Sequence, residues 1–203
     1  MKKLNRDFYN RDTLLVAKEL LGKVLVHEIG GKKVSGKIVE VEAYRGTLDK
    51  AAHSYSGKVT PRTEVMYGKA GVAYVYFIYG MYYCFNIVTR EEGMPEAILV
   101  RALEPVEGLE YMVYNRYKKS YEDLTKYQIK NLSNGPGKLC NAMGIDKTLN
   151  KEDLCGDKLY IEDGLDDNFN IKTAKRVGID YAEEARDYLW RFYIDANPNV
   201  SVK

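Results

Sequence analysis

The sequence predicts an α+β fold in one domain, a mostly antiparallel curved β-sheet with surrounding helices and one protruding β-hairpin. Three observations carry that expectation. Segments with period-two alternation, whose side chains take opposite faces of a strand, recur along the chain in hairpin order. Helical segments are inserted between groups of strands rather than after every strand, which favours an antiparallel over a βαβ arrangement. The 203 residues, 45% of them hydrophobic, suffice for one ordinary core, and no repeat or linker divides them.

Taken in order, Asp12 and Thr13 can cap a helix reaching about Leu21, with Leu14, Leu15, Ala17 and Leu20 roughly on one side and Gly22 ending it. Residues 23–28, a Gly30-Gly31 turn and residues 33–44 form a β-hairpin pattern. Residues 46–71 carry Gly, Pro, Ser and Thr without periodicity and read as a long loop. Such a loop inside a compact domain is usually functional. Residues 72–88 hold five tyrosines, Tyr74, Tyr76, Tyr79, Tyr82 and Tyr83, around a Tyr79-Gly80 turn signal. Tyr74, Tyr76 and Ile78 share one face by alternation, and the chain returns through Tyr82 to Asn86. A strand over 97–103, a helix over 107–119 and a helix opened by Pro136 in its first turn follow. The late strands are expected at 159–162, 171–177 and 189–194, with a short helix near 182–186.

Tyrosine is the compositional outlier, with 18 copies, and it suits wet, half-apolar surfaces. An aromatic on a rigid two-stranded tip has the form of a wedge for the gap between stacked bases. Tyrosines behind it can stack on a displaced base. Taken alone, the same stretch reads more readily as packed aromatics of an ordinary sheet. The net charge of +2 excludes a polybasic arm. Basic residues exceed acidic ones in 45–62 and 115–119 while acids gather in 152–167. That asymmetry fits a phosphate-facing side and a plain solvated surface equally.

Three cysteines with no paired spacing indicate reduced, intracellular thiols rather than a disulfide framework. His27 and His53 lie far apart without cysteine neighbours, so no metal site and no cofactor are expected. The first residues lack the apolar core of a signal peptide, and no apolar run approaches a membrane span. The expectation is a soluble, cytoplasmic monomer.

Several uncommon strings recur together: Ile38-Val-Glu-Val-Glu-Ala-Tyr-Arg-Gly46, Lys50-Ala-Ala-His-Ser54, Thr60-Pro-Arg62, the tyrosine hairpin, Ile98-Leu-Val-Arg-Ala-Leu-Glu-Pro105, Asn134-Gly-Pro-Gly-Lys-Leu-Cys140, Lys175-Arg-Val-Gly-Ile179 and Leu189-Trp-Arg-Phe-Tyr193. In this order and spacing, from about Leu14 to Val202, the chain resembles the alkyladenine (3-methyladenine) DNA glycosylase family. The resemblance implies a monofunctional glycosylase of base excision repair acting on double-stranded DNA. Such an enzyme flips a damaged purine (3-methyladenine, 7-methylguanine, hypoxanthine or ethenoadenine) and hydrolyses its N-glycosidic bond with water, leaving an abasic site. DNA binding would then place the protein at the nucleoid.

The implied roles fall on particular residues. Tyr79 matches the family's intercalating tyrosine, with Met66 and Tyr82 in flanking positions that brace the minor groove. Tyr44, Tyr76 and His53, with Ala52 in the same loop, form the base pocket. Rings of this kind sandwich a flipped purine and favour a cationic one by about 0.5–2 kcal/mol. Asn86 matches the residue that crowds the amino group of normal guanine. Glu40 and Glu42 point to one face by pleat counting, and the family pattern selects Glu42 as the general base, worth roughly 10²–10⁴-fold. Arg101 resembles the partner that holds water and carboxylate, and the backbone carbonyl of Val177 matches a third ligand of that water. Without the surrounding motifs, Glu42 and Arg101 would read as a structural ion pair.

A Schiff-base chemistry requires a pocket lysine. None falls there, since Lys37 and Lys50 look like surface residues. Phe77 departs from the smaller aliphatic common in the family, an expected change in packing near the flipped base. The loop 45–50 is more basic than the family suggests, which points to tuned DNA affinity or substrate range. No N-terminal extension precedes the match, so no partner-recruiting tail is expected. Two rivals stay open: a non-catalytic binder of damaged or distorted DNA, and a nucleosidase that needs no wedge.

Overall fold

Strand β2 (Lys32–Tyr44) is the spine of the computed structural model, which describes residues 1–164 and 168–202. The end of the acidic stretch, at 165–167, lies outside the described residues. The other strands are β1 (Val24–Ile29), β3 (Ala73–Ile78), β4 (Tyr82–Thr89), β5 (Glu96–Glu107), β6 (Leu159–Glu162), β7 (Ile171–Ala174) and β8 (Arg191–Ile194). They run in the order β3-β4-β5-β2-β1-β6, with β8 pairing both β2 and β7, and every pairing is antiparallel. On one side β2 is occupied by β5; on the other its start pairs with β1 and its end with β8. One long strand serving three partners curls the sheet into a half-barrel, and bulges between β2 and β5 add local bending.

The helices are α1 (Arg6–Tyr9), α2 (Thr13–Leu20), α3 (Leu109–Tyr117), α4 (Lys126–Lys130) and α5 (Pro136–Met143). Asp12 caps α2 as expected, its side chain accepting from the Leu14 and Leu15 amides. The buried face is Thr13, Val16, Ala17 and Leu20, whereas Leu15 is exposed. Burying Val16 and Leu20 stabilises by roughly 1.5–3 kcal/mol each. Leu15 is therefore a correction: at about 100° per residue it stands about 100° from Val16 and about 140° from Leu20, off the buried stripe. Helix α5 opens at Pro136 and packs on β4, β5 and α3, and the core lies between these helices and the sheet.

Element ends shift by a few residues. β5 continues through Pro105, which sits at a register shift opposite Gly36, where a missing N–H costs no ladder bond. Gly108, at φ +75°, then turns the chain into α3. The expected strand over 171–177 stops at Ala174, and the helix near 182–186 is a single 3-10 stretch, Glu183–Asp187. Helix α4 was not anticipated, although its capping box of Thr125 and Gln128 is a sequence signal. Residues 46–71 contain three short 3-10 turns rather than a featureless loop. Among the described residues, no helix is long and apolar enough to cross a membrane. All three cysteines are free.

Candidate active site

Strand alternation places Glu40 and Glu42 on one face of β2, and both are 0% exposed. Opposite them, the register slips twice. Val39 is the extra residue on β2 between the Ile38–Leu103 and Glu40–Ala102 pairs, and Arg101 the extra residue on β5 before Val41–Val100. A bulged residue is re-aimed relative to the regular pleat, and here Arg101 reaches both carboxylates. Its Nε donates to Glu40 Oε1 at 3.2 Å, and its Nη1 lies 3.3 Å from Glu42 Oε1. Burial opposes the Arg101 charge, but Glu42 and then Glu40 outweigh it and raise the pKa.

The two glutamates differ in everything else. Glu40 also accepts from Arg191 Nη1 at 2.9 Å and from the Ser201 amide at 2.6 Å, tying β8 and the C-terminal segment to the sheet. Glu42 accepts from the Val177 amide at 2.7 Å and from the Tyr44 hydroxyl at 2.9 Å. Oε1 of Glu42 thus accepts one hydrogen bond and faces the Arg101 charge, and Oε2 accepts one, so two of the four lone-pair sites of a carboxylate take no hydrogen bond. Burial, then the Glu42 charge, hold the Tyr44 phenol well above its ordinary pKa.

A second buried ion pair holds this machinery in place. The Arg176 guanidinium meets Asp49 with both terminal nitrogens, and donates to the carbonyls of Ala43 at 3.0 Å and Ala185 at 3.1 Å. It also lies 4.7 Å from the Tyr44 ring centroid and 5.1 Å from that of Trp190. Asp49 in turn accepts from the Arg45 and Ala51 amides, which shapes the loop that carries His53. No local pattern marks this pairing, because only the fold joins positions 127 apart in the chain.

The aromatic pocket lies beside this network. Tyr44 and Tyr76 line a small cavity together with His53, Met66, Tyr74 and Asn86. They also line an adjoining cleft of about 490 Å³ whose wall includes Arg101, Cys84 and Val177. His53 and Tyr76 are in edge-to-face contact, with ring centroids 4.7 Å apart at 81°. No base fits between rings at that distance, so the expected sandwich requires His53 to move away from Tyr76. His53 Nδ1 lies 2.9 Å from the Tyr74 hydroxyl and Nε2 3.1 Å from Arg62. Burial against these rings, followed by the Arg62 charge, lowers the His53 pKa to about 4. Asn86 is buried and donates to the Tyr74 carbonyl at 3.1 Å.

The hairpin tip is built by backbone conformation. Tyr79 and Gly80 both adopt positive φ, +54° and +68°, the paired left-handed geometry of tight hairpin turns. Tyr79 is 81% exposed there, and left-handed backbone is uncommon for an aromatic residue. Directly after the turn, Tyr82 packs on the first turn of α5. A Cβ on Gly137 would stand 2.9 Å from the Tyr82 ring, so glycine permits that approach.

Several expectations are corrected. Met66 is 2% exposed and packs under Tyr74 and Val88, so it does not flank the tip. Met81, 64% exposed beside Tyr79, occupies that place, and its position inside the turn was the signal available in the sequence. Ala52 is buried with its backbone engaged by Asp49 and Tyr55; Ala51 and His53, not Ala52, line the cavity. Phe77 points to the other face of β3 and packs against Tyr83 at 4.9 Å, away from the pocket. The charges of loop 45–50 are used internally, Arg45 on Asp12 and Lys50 on Glu183 and Glu184. Tyr181, exposed on the far lip of the cleft, went unremarked in the sequence. Among the described residues, no three His, Cys, Asp or Glu side chains gather as metal ligands do.

The profile of the methylpurine-DNA glycosylase family matches residues 7–198. A protein of Desulfitobacterium hafniense named "Putative 3-methyladenine DNA glycosylase" is 66% identical over 203 residues, all of both chains. One of the same name from Clostridium acetobutylicum is 66% identical over 200 residues, 98% of each chain. Another, from Clostridium tetani, is 57% identical over 202 residues, 99% of this chain and all of that one.

Proposed function

From the premise that the chain belongs to the methylpurine-DNA glycosylase family, and so is a hydrolase of N-glycosyl bonds in DNA, we propose that it acts as a monomer on double-stranded DNA and excises 3-methyladenine, 7-methylguanine, hypoxanthine and ethenoadenine. The observation that carries this reading is the junction of two features at Tyr44 and Tyr76. One is an aromatic pocket with a projecting tyrosine tip; the other is a buried carboxylate bonded to the pocket's own wall.

In this reading Tyr79 enters the stack as the nucleotide leaves it, at a cost of a few kcal/mol repaid by pocket contacts. Met81 and Tyr82 brace the groove. Arg116 and Lys138, on the cleft wall, bond neutral oxygens of residues 131–134 and retain their charge for phosphates. The displaced purine enters beside Tyr76 as His53 shifts, and Asn86 crowds an exocyclic amino group. A water takes a free lone pair of Glu42, held also by Arg101 and the Val177 carbonyl. Glu42 then accepts the water's proton as oxygen attacks C1′, and its charge favours the oxocarbenium-like transition state.

A pure damage binder has no use for a fully buried carboxylate held by two donors and an arginine charge at the pocket wall. The test is a panel of duplexes, each with one of the four lesions, scored for alkali-labile sites. Alkali-dependent cleavage supports the reading and ranks the lesions. Tight lesion binding with no base released, at any lesion, overturns it in favour of the binder.

A further inference from the structure

Arg62 is exposed, yet its guanidinium is docked on two residues of the aromatic pocket, Tyr76 and His53. Its Cζ lies 4.7 Å from the Tyr76 ring centroid, and its Nη2 donates to His53 Nε2 at 3.1 Å. That bond makes Nε2 the acceptor of His53 and directs Nδ1 to the Tyr74 hydroxyl. A guanidinium is a planar, delocalised cation with N–H donors along its edge. A purine alkylated at N3 or N7 within a nucleotide is a cation of the same kind. Arg62 therefore takes, from inside the protein, the two contacts the pocket offers such a base: the π face of Tyr76 and the acceptor of His53.

We propose that Arg62 is an internal competitor for the base pocket, displaced by the incoming base and returning to expel it after the bond is broken. The inference rests on the glycosylase reading above. Cleavage of the C1′–N9 bond leaves its electron pair on N9, which cancels the charge of the alkylated base. The positive charge passes to the sugar and is quenched by water, whose proton goes to Glu42. The substrate base is thus a cation and the released base is neutral. On entry one cation replaces another over Tyr76; after cleavage a neutral ring faces a returning guanidinium and holds that face more weakly. Arg62 has no carboxylate partner among the described residues, so its exchange breaks no ion pair.

The test uses free 7-methylguanine, which carries no phosphate to confuse base binding with DNA binding. Calorimetric titration of wild type, Arg62→Ala and Arg62→Gln should show the free base bound about three- to tenfold more tightly by both variants. Arg62→Lys, which keeps the charge but loses the planar fork, should fall between. The His53 proton titration should move up in Arg62→Ala as the competing charge is removed. Equal or weaker binding by both variants, or no binding by any form, overturns the inference. Wild-type excision of 7-methylguanine from duplex, run in parallel, separates the two failures. Excision with unchanged free-base affinity sinks only the competitor, whereas absence of excision from every lesion sinks the glycosylase reading itself.

Discussion

Replacing each of the paired glutamates separately should divide catalysis from stability. Both are fully buried on one face of β2 and both reach Arg101. Glu42→Gln leaves Arg101 with Glu40, and the amide carbonyl still accepts the Val177 N–H. The loss is one charge-assisted interaction in place of a neutral one, about 1–2 kcal/mol. At roughly 2–4 °C per kcal/mol for a chain of this length, Tm falls by about 2–8 °C. Single-turnover excision should fall by about 10²–10⁴, the range of a lost general base. Glu40→Gln leaves Arg191 buried without its carboxylate, a cost of about 3–5 kcal/mol and so about 6–20 °C. Arg101 stays anchored to Glu42, so excision per folded molecule should drop less than about tenfold, under 1.4 kcal/mol of barrier. The assays are thermal denaturation and single-turnover excision of hypoxanthine at saturating enzyme, below the lower Tm. A folded Glu40→Gln that is inactive beside a Glu42→Gln within tenfold of wild type would refute the assignment.

Tyr79→Ala should leave the unfolding free energy within about 0.5 kcal/mol of wild type, because the side chain is exposed. It should nevertheless abolish excision from duplex DNA; undiminished duplex activity would favour a nucleosidase. The His53 pKa of about 4 lies below the ordinary 6.5, so the unfolded chain binds more protons between these values. The stability linked to neutral His53 is therefore complete above about pH 6.5 and lost as pH falls through about 4. A proton NMR titration of His53 with a midpoint near 6.5 would contradict its placement. Arg176→Met should destabilise by about 3–5 kcal/mol by stranding Asp49, and Asp49→Asn combined with it should recover part of that loss in urea denaturation. Additive losses would mean the two do not act as a pair.

Much of the scaffold was legible in order. Asp12 and Pro136 mark helix starts through their capping chemistry, and the Gly30-Gly31 and Tyr79-Gly80 pairs mark hairpins through positive φ. The boundaries that shifted are those set by distant partners. Pro105 stays within β5 because a register shift opposite Gly36 spares its missing donor, and no local preference encodes that.

The site divides along the same line. Alternation alone puts Glu40 and Glu42 on one face, and Tyr74, Tyr76 and Ile78 on another, since both are consequences of the pleat. The family strings place the chemistry on Glu42, Arg101, Tyr44, His53 and Tyr79. Burial of Met66, exposure of Met81 and the turning away of Phe77 depend on which neighbours close over each side chain. The two bulges that aim Arg101, the Arg176–Asp49 clamp and the docking of Arg62 on Tyr76 exist only between segments far apart in the chain. The order of strands and turns was legible because it follows from local backbone geometry, and the functional residues were legible only through the family resemblance of the strings that carry them. Tertiary structure alone decided which carboxylate each arginine neutralises and which ring each cation covers, because those energies arise only when remote groups are brought together out of water.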